Sequence, residues 1–220
     1  MRWKRFADAG RRALLVGAAL VVSAAVASPA SAQTETKAPD ALVKEVTLEV
    51  VELVAKDKEI KSGNRAKLIE VIEAKVLPHF NFTAMTMLAM GQSWRQATPE
   101  QKKQLIDQFR TLLVRTYASA LAAYSDQKLE FRPLRARPSD TDVIVNVRVL
   151  QRGAQPIPID YSMEKTASGW KAYDVMVGGV SLVANYRTEF NAIVRQQGID
   201  ALIQTLEQKN GALGAAASAK

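Results

Sequence analysis

GWKAYDVMVGGVSLVANYRTEF, residues 169–190, is the stretch that decides the fold. Its first half alternates, with Tyr173, Val175 and Val177 on one side of an extended chain and Ala172, Asp174 and Met176 on the other. Gly178-Gly179 then breaks the run, and Val183, Tyr186 and Phe190 recur three and four apart, the spacing of a helix. The stretch predicts a sheet strand that turns directly into a helix, bent sharply at the two glycines. It holds no catalytic group and reads as the wall and lid of an apolar compartment.

Upstream the same period of two recurs. Leu129 and Phe131 alternate with charged residues. Val143, Val145, Val147 and Val149 alternate with Ile144, Asn146, Arg148 and Leu150, and Ile157, Ile159, Tyr161 and Met163 alternate with Pro158, Asp160, Ser162 and Glu164. The connections hold Pro138-Ser139-Asp140, Arg152-Gly153 and Ser168-Gly169, and turns this short join antiparallel neighbours. Before the strands come helical patterns. One spans Ala41–Ala55, a second is capped by Ser62 and closed by Pro78, and a third is capped by Asn81. Thr98-Pro99-Glu100-Gln101 is a capping box with proline at the first helical position, opening a long helix whose apolar face includes Phe109, Leu113 and Tyr117. After the strands, Gly198 stops one helix and Asp200 caps a last one. The expected fold is α+β, a four-stranded twisted antiparallel sheet with several helices packed on one face.

The N-terminus reads separately. Arg2, Lys4, Arg5, Arg11 and Arg12 precede an apolar run from Ala13 to Val26, and Ala30-Ser31-Ala32 supplies small residues for a signal peptidase. The run is shorter than the roughly 20 residues a membrane-spanning helix needs. The chain therefore divides into a secretory signal peptide over 1–32, one domain over 33–210 and a flexible C-terminal tail over 211–220. Loss of five basic residues and Asp8 lowers the formal charge from +8 to +4. That charge suits anionic headgroups or acidic partner surfaces. It argues against nucleic acid, because the basic residues are dispersed. The absence of cysteine excludes disulfides, thiolate nucleophiles, cysteine metal sites and a lipid-anchored N-terminal cysteine. The exported domain must fold on its core alone, in a compartment read as a bacterial periplasm.

A catalytic reading finds little support. The single histidine, His79, lies beside a proline in Leu77-Pro78-His79-Phe80 and reads as structural. No nucleophile elbow, zinc-binding helix or phosphate-cradling glycine loop is present. Asp160 and Asp174 share the strand face opposite the valines and read as a solvated pair. No metal and no cofactor is expected. The apolar faces suit a plain core, yet Met85, Met87, Met90, Met163 and Met176 are adaptable side chains of the kind that line changeable cavities.

Several segments together resemble the MlaC family, also called the toluene-tolerance auxiliary family, of periplasmic phospholipid carriers. They are Val76-Leu77-Pro78-His79-Phe80-Asn81-Phe82, Met90-Gly91-Gln92-Ser93-Trp94-Arg95 leading into Thr98-Pro99-Glu100-Gln101, and Leu113-Val114-Arg115-Thr116-Tyr117-Ala118. Further along come Ile159-Asp160-Tyr161, Gly169-Trp170-Lys171-Ala172-Tyr173-Asp174-Val175 and Gly179-Val180-Ser181-Leu182-Val183-Ala184-Asn185-Tyr186-Arg187. They run in family order across nearly all of residues 40–210. Asn81 stands where the family usually has aspartate, and asparagine caps a helix about as well.

The resemblance implies a periplasmic shuttle with phospholipid as cargo, its acyl tails buried and its headgroup at the surface. It also implies partners, an inner-membrane MCE-domain lipid transporter complex and an outer-membrane lipoprotein–porin complex, with outer-membrane lipid asymmetry as the purpose. On strand and helix faces the expected lipid-binding residues are Val145, Val147, Ile159, Tyr161, Tyr173, Val175 and Val177 from the sheet. Met85, Leu88, Phe109, Leu113, Tyr117, Val183 and Tyr186 would come from the helices, and Arg187 is the headgroup candidate or a structural arginine. The rival reading is an exported binding module that grips a protein or small apolar ligand without transporting it. An enzyme is the more distant alternative.

Overall fold

The computed structural model describes residues 37–122, 127–151 and 153–218. The signal-peptide reading therefore falls outside the described residues. Helices come first: α1 (Pro39–Lys56), a one-turn α2 (Lys58–Lys61), α3 (Arg65–Lys75), α4 (Phe82–Met90) and α5 (Pro99–Ala122). Strands β1 (Lys128–Phe131), β2 (Asp142–Leu150), β3 (Ile157–Thr166), β4 (Gly169–Val177) and β5 (Val180–Ser181) follow, then α6 (Leu182–Gln197) and α7 (Ile199–Ser218).

Local chemistry sets most helix starts. Thr98 Oγ1 accepts from the Gln101 amide at 3.1 Å while the Thr98 amide donates to Gln101 Oε1 at 3.0 Å, the reciprocal capping box expected from the sequence. Asn81 Oδ1 accepts from the Ala84 amide at 3.1 Å and caps α4. α3 is capped by Asn64, whose Oδ1 accepts from Lys67, rather than by Ser62, whose hydroxyl is spent on the Glu59 carbonyl. Gly198 ends α6 with φ of 88°. α7 begins at Ile199, where Asp200 accepts from Gln101 Nε2. It continues through Ser218, where a flexible tail is expected from residue 211, because Leu213 packs on the helical core and Gly214 lets the Arg115 guanidinium lie against it.

The sheet is antiparallel in simple sequential order, β1-β2-β3-β4-β5, five strands where the alternation predicts four. The fifth is only Val180–Ser181, paired back on Val177 and Met176 through Gly178-Gly179. Both glycines have positive φ, 59° and 84°, as a two-residue hairpin loop matching the sheet twist requires. The glycines thus close a hairpin, and the helix starts after it.

A second correction concerns β4. Tyr161 faces Val175 and Ser162 faces Asp174, but Met163 faces Ala172, so the register slips by one and Tyr173 is the extra residue of a bulge. Side-chain parity flips there. Trp170 and Ala172 are buried with Met163 and Val143, whereas the Tyr173 hydroxyl donates to Asp142 Oδ1 at 3.1 Å on the opposite side. Tyr173 therefore does not share a face with Val175 and Val177.

One sheet face is buried and the other open: Val143, Val145 and Val147 of β2 are buried while Asp142, Ile144, Asn146 and Arg148 are exposed. Among the described residues the core forms three apolar clusters. One joins α4, α5, α6 and α7 around Phe109, Phe190 and Leu202. A second lies on the sheet with Val43 of α1, and a third joins α1, α2, α3 and α5.

Candidate functional site

The expected site residues sort into two adjoining layers. Val145 and Val147, each 2% exposed, belong to the sheet cluster, with Ile159 and Tyr161 half-buried against it. Met85, Phe109, Leu113 and Val183 belong to the helical cluster, with Tyr117 and Tyr186 packed on its margin. Val175 is buried. Four expected residues stand apart: Tyr173 turns to the open side of the sheet, Leu88 and Val177 are 40% and 38% exposed, and Arg187 is exposed, its guanidinium lying across Gly91.

Phe80 joins the layers, since its ring packs against both the sheet cluster and the helical cluster. The segment preceding α4 is held in place by a bridge between Phe80 and Ala172 and by the Asn81 amide donating to the Ala172 carbonyl at 2.8 Å. Phe80 was not among the expected contacts, and neither were Leu42 and Val43 of α1, which cover the sheet. The apolar stripe of α1 was the signal available for them.

Aromatic groups shape the helical side. Phe109 meets Tyr186 and Phe190 edge to face, both with centroids 5.2 Å apart. The Tyr117 phenol is bonded to Tyr186, and burial, then that neighbour, raises its pKa. On the sheet side burial raises the pKa of Tyr161, while a hydrogen bond with Thr47 of α1 opposes the shift. Tyr161 as a residue is half-buried and packs against the sheet cluster.

The carboxylates do structural work. Asp174, expected on a solvated face, accepts from the Val175 amide at 2.8 Å, the Ser181 hydroxyl at 2.6 Å and the Val183 amide at 3.2 Å. Ser181 Oγ in turn accepts from the Ala184 amide at 2.9 Å, so one side chain ties β4 and β5 to the start of α6. Asp160 accepts from Asn146 Nδ2 at 2.7 Å. His79 has its pKa lowered by burial and next by Lys171, and Lys171 Nζ donates to the Pro78 carbonyl. Among the described residues no group of three or more His, Cys, Asp or Glu side chains is arranged for a metal. No described helix is long and apolar enough to cross a membrane.

Two grooves, of about 490 and 370 Å³, open on the surface and are lined largely by charged side chains. Neither is the enclosed apolar pocket expected between sheet and helices. Where the layers meet, apolar side chains predominate among the described residues.

Fold and burial together define the class: an α+β domain whose helices cover one face of an antiparallel meander, with its apolar side chains gathered between the two. The family model described as MlaC protein matches residues 44–208, and the chain belongs to that family. The intermembrane phospholipid transport system binding protein MlaC of Haemophilus influenzae is 28% identical over 141 residues, 63% of this chain and 66% of that protein. Toluene tolerance protein ttg2D of Pseudomonas putida is 27% identical over 106 residues, 48% of this chain and 49% of its own length. The chain thus spans under two thirds of the length of both relatives. A phospholipid-binding protein from Ralstonia solanacearum, solved in complex with a phospholipid, is 37% identical with a TM-score of 0.74, covering 80% of this chain and 98% of its own.

Proposed function

We propose that this protein is a soluble periplasmic carrier that shuttles glycerophospholipids between the outer and inner membranes and so maintains outer-membrane lipid asymmetry. The observation that carries the reading is the likeness over almost the whole of a structure solved with a phospholipid bound. The acyl tails lie between the sheet layer of Val145, Val147, Ile159, Tyr161 and Val175 and the helical layer of Met85, Phe109, Leu113, Tyr117, Val183 and Tyr186. Leu88, Val177 and Arg187 belong to the rim, where the headgroup meets water. Residues 1–32 direct export, and the partners are an inner-membrane MCE-domain transporter complex and an outer-membrane lipoprotein–porin complex.

The energetics fit carriage without chemistry. Two acyl chains hold about 30 methylenes at ~0.8 kcal/mol each, so leaving them in water costs on the order of 24 kcal/mol gross. An interior as apolar as a bilayer nearly balances that cost on both sides of a transfer, and small docking energies then set direction. No catalytic group is required, and the energy source belongs to the membrane transporter.

Native mass spectrometry of protein purified from bacteria tests the reading, with co-purified phospholipid expected on most molecules. A charge at Val147 would be absorbed by closed core and unfold it, so half-buried Ile159 is the sharper probe. Ile159→Glu is expected to lose the bound phospholipid while melting within a few degrees of wild type. Full lipid occupancy in that variant would remove the sheet face from the site, and no phospholipid on the wild type would sink the carrier itself.

A further inference from the structure

The open face of the sheet carries a groove that shares only Val147 with the apolar site. It has a volume of about 490 Å³ and its lining includes Arg132, Arg135, Arg148, Asn146 and Asp160. Arg148 projects from the exposed side of β2. Arg132 follows β1, and its amide donates to the Asn146 carbonyl at 3.0 Å, which extends the ladder by one bond. Arg135 lies on the connection to β2, which is not a loose loop: Leu134 packs into the sheet cluster, and Arg137 and Asp140 close a turn through bonds of 3.0 and 2.8 Å.

The charges in this groove are unbalanced. Arg132 pairs with Glu130 at 2.9 Å. Arg135 and Arg148 make no ion pair or side-chain hydrogen bond among the described residues, and the carboxylate in the groove, Asp160, is held by Asn146. Two planar guanidinium forks thus face a concave surface without partners, and such forks match carboxylates bidentately. Beyond the groove this face is mixed in charge: Asp142 and Glu164 sit opposite each other in the β2–β3 register, Lys171 lies across from Glu164, and Lys128 lies across from Leu150. A flat anionic bilayer would therefore meet carboxylates as well as lysines there. A narrow ligand with several negative groups in a row that stays within the groove meets one carboxylate, Asp160, already engaged by Asn146, against three arginines. The geometry points to a docking site for a short acidic segment of a partner protein, whose carboxylates engage Arg135 and Arg148. This holds whether or not the apolar site carries lipid.

The test is an NMR titration of isotope-labelled protein with a short peptide alternating Glu and Ser, and with its Gln–Ser counterpart. The acidic peptide is expected to shift the amides of Arg132, Arg135, Asn146, Arg148 and Asp160 saturably, and the Gln peptide to leave them unmoved. Added salt should weaken the acidic peptide's binding. The R135E/R148E double variant should weaken it roughly tenfold and R135Q/R148Q by less, as expected when rim charges govern association. Both side chains are solvent-facing, so an unchanged spectrum away from the groove verifies the fold. Shifts scattered over the surface, affinity indifferent to the variants, or no binding would each overturn the proposal. So would inorganic phosphate, or phosphatidylglycerol vesicles, occupying the groove more tightly than the peptide.

Discussion

At the scale of single residues, Tyr161 shows how one polar atom in an apolar layer makes stability depend on pH. Its phenol has a pKa raised above the usual 10.0 by burial. Unfolding frees it to ionise near pH ~10, so above that pH the unfolded chain has shed a proton that the folded chain keeps. The stability it contributes is complete below about pH 10 and is lost as pH climbs toward the folded pKa. Tyr161→Phe is expected to cost about 1 kcal/mol at neutral pH through the lost bond to Thr47. Its stability should then fall less steeply than wild type between pH ~9 and ~11. Urea midpoints across that range check it, and parallel curves would show that the phenol does not sense burial. Tyr173 also has a raised pKa, from burial and then Asp142, so some alkaline slope persists in the variant.

Elements were legible wherever a side chain announces its backbone partner or a period runs long. The capping box at Thr98, the cap at Asn81 and the stop at Gly198 are local chemistry, and the valines of β2 give an unbroken alternation. The bulge at Tyr173 was not legible, because Tyr173, Val175 and Val177 alternate whether or not a residue is inserted opposite Ser162 and Met163. β5 was hidden for another reason: two residues have no period, and its pairing depends on the left-handed φ of Gly178 and Gly179. Those angles are testable. At Gly179 an added Cβ meets open space, so Gly179→Ala pays only the backbone penalty of about 1–2 kcal/mol. At Gly91, φ of 55° with ψ of −128° suits glycine alone, and a Cβ would also lie 3.4 Å from the Arg187 guanidinium. Gly91→Ala is expected to destabilise by about 2–3 kcal/mol in denaturant titration. Equal costs at the two sites would mean that the Gly91 backbone relaxes freely.

Across the whole molecule, the candidate site was legible as two lists of apolar faces and not as one pocket. Strand and helix periods report which residues turn inward, but not which cluster each one joins. Phe80, the ring common to the sheet and helical clusters, lies between the Pro78 helix stop and the Asn81 cap, where no period assigns it a face. That arrangement carries a prediction about motion. Val145, Val147, Met85 and Phe109 are each 2% exposed or less, so two acyl tails cannot enter among them unless the layers part. The parting should run along the weaker seam, where Tyr161, Ile159, Tyr117 and Tyr186 are only half-buried, while α5 and α7 stay together around Phe109, Leu202 and Leu206. Hydrogen exchange on phospholipid-loaded and delipidated protein is expected to differ in α1, in the β1–β3 strands and in the first turns of α6. Little difference is expected in the first half of α5 or in α7. Loading at a hundred times the dissociation constant should add about 2.7 kcal/mol of apparent stability by mass action. A uniform change in protection, with no contrast between seam and helical core, would mean that the tails enter without separating the layers, and the two-layer description of the site would fail.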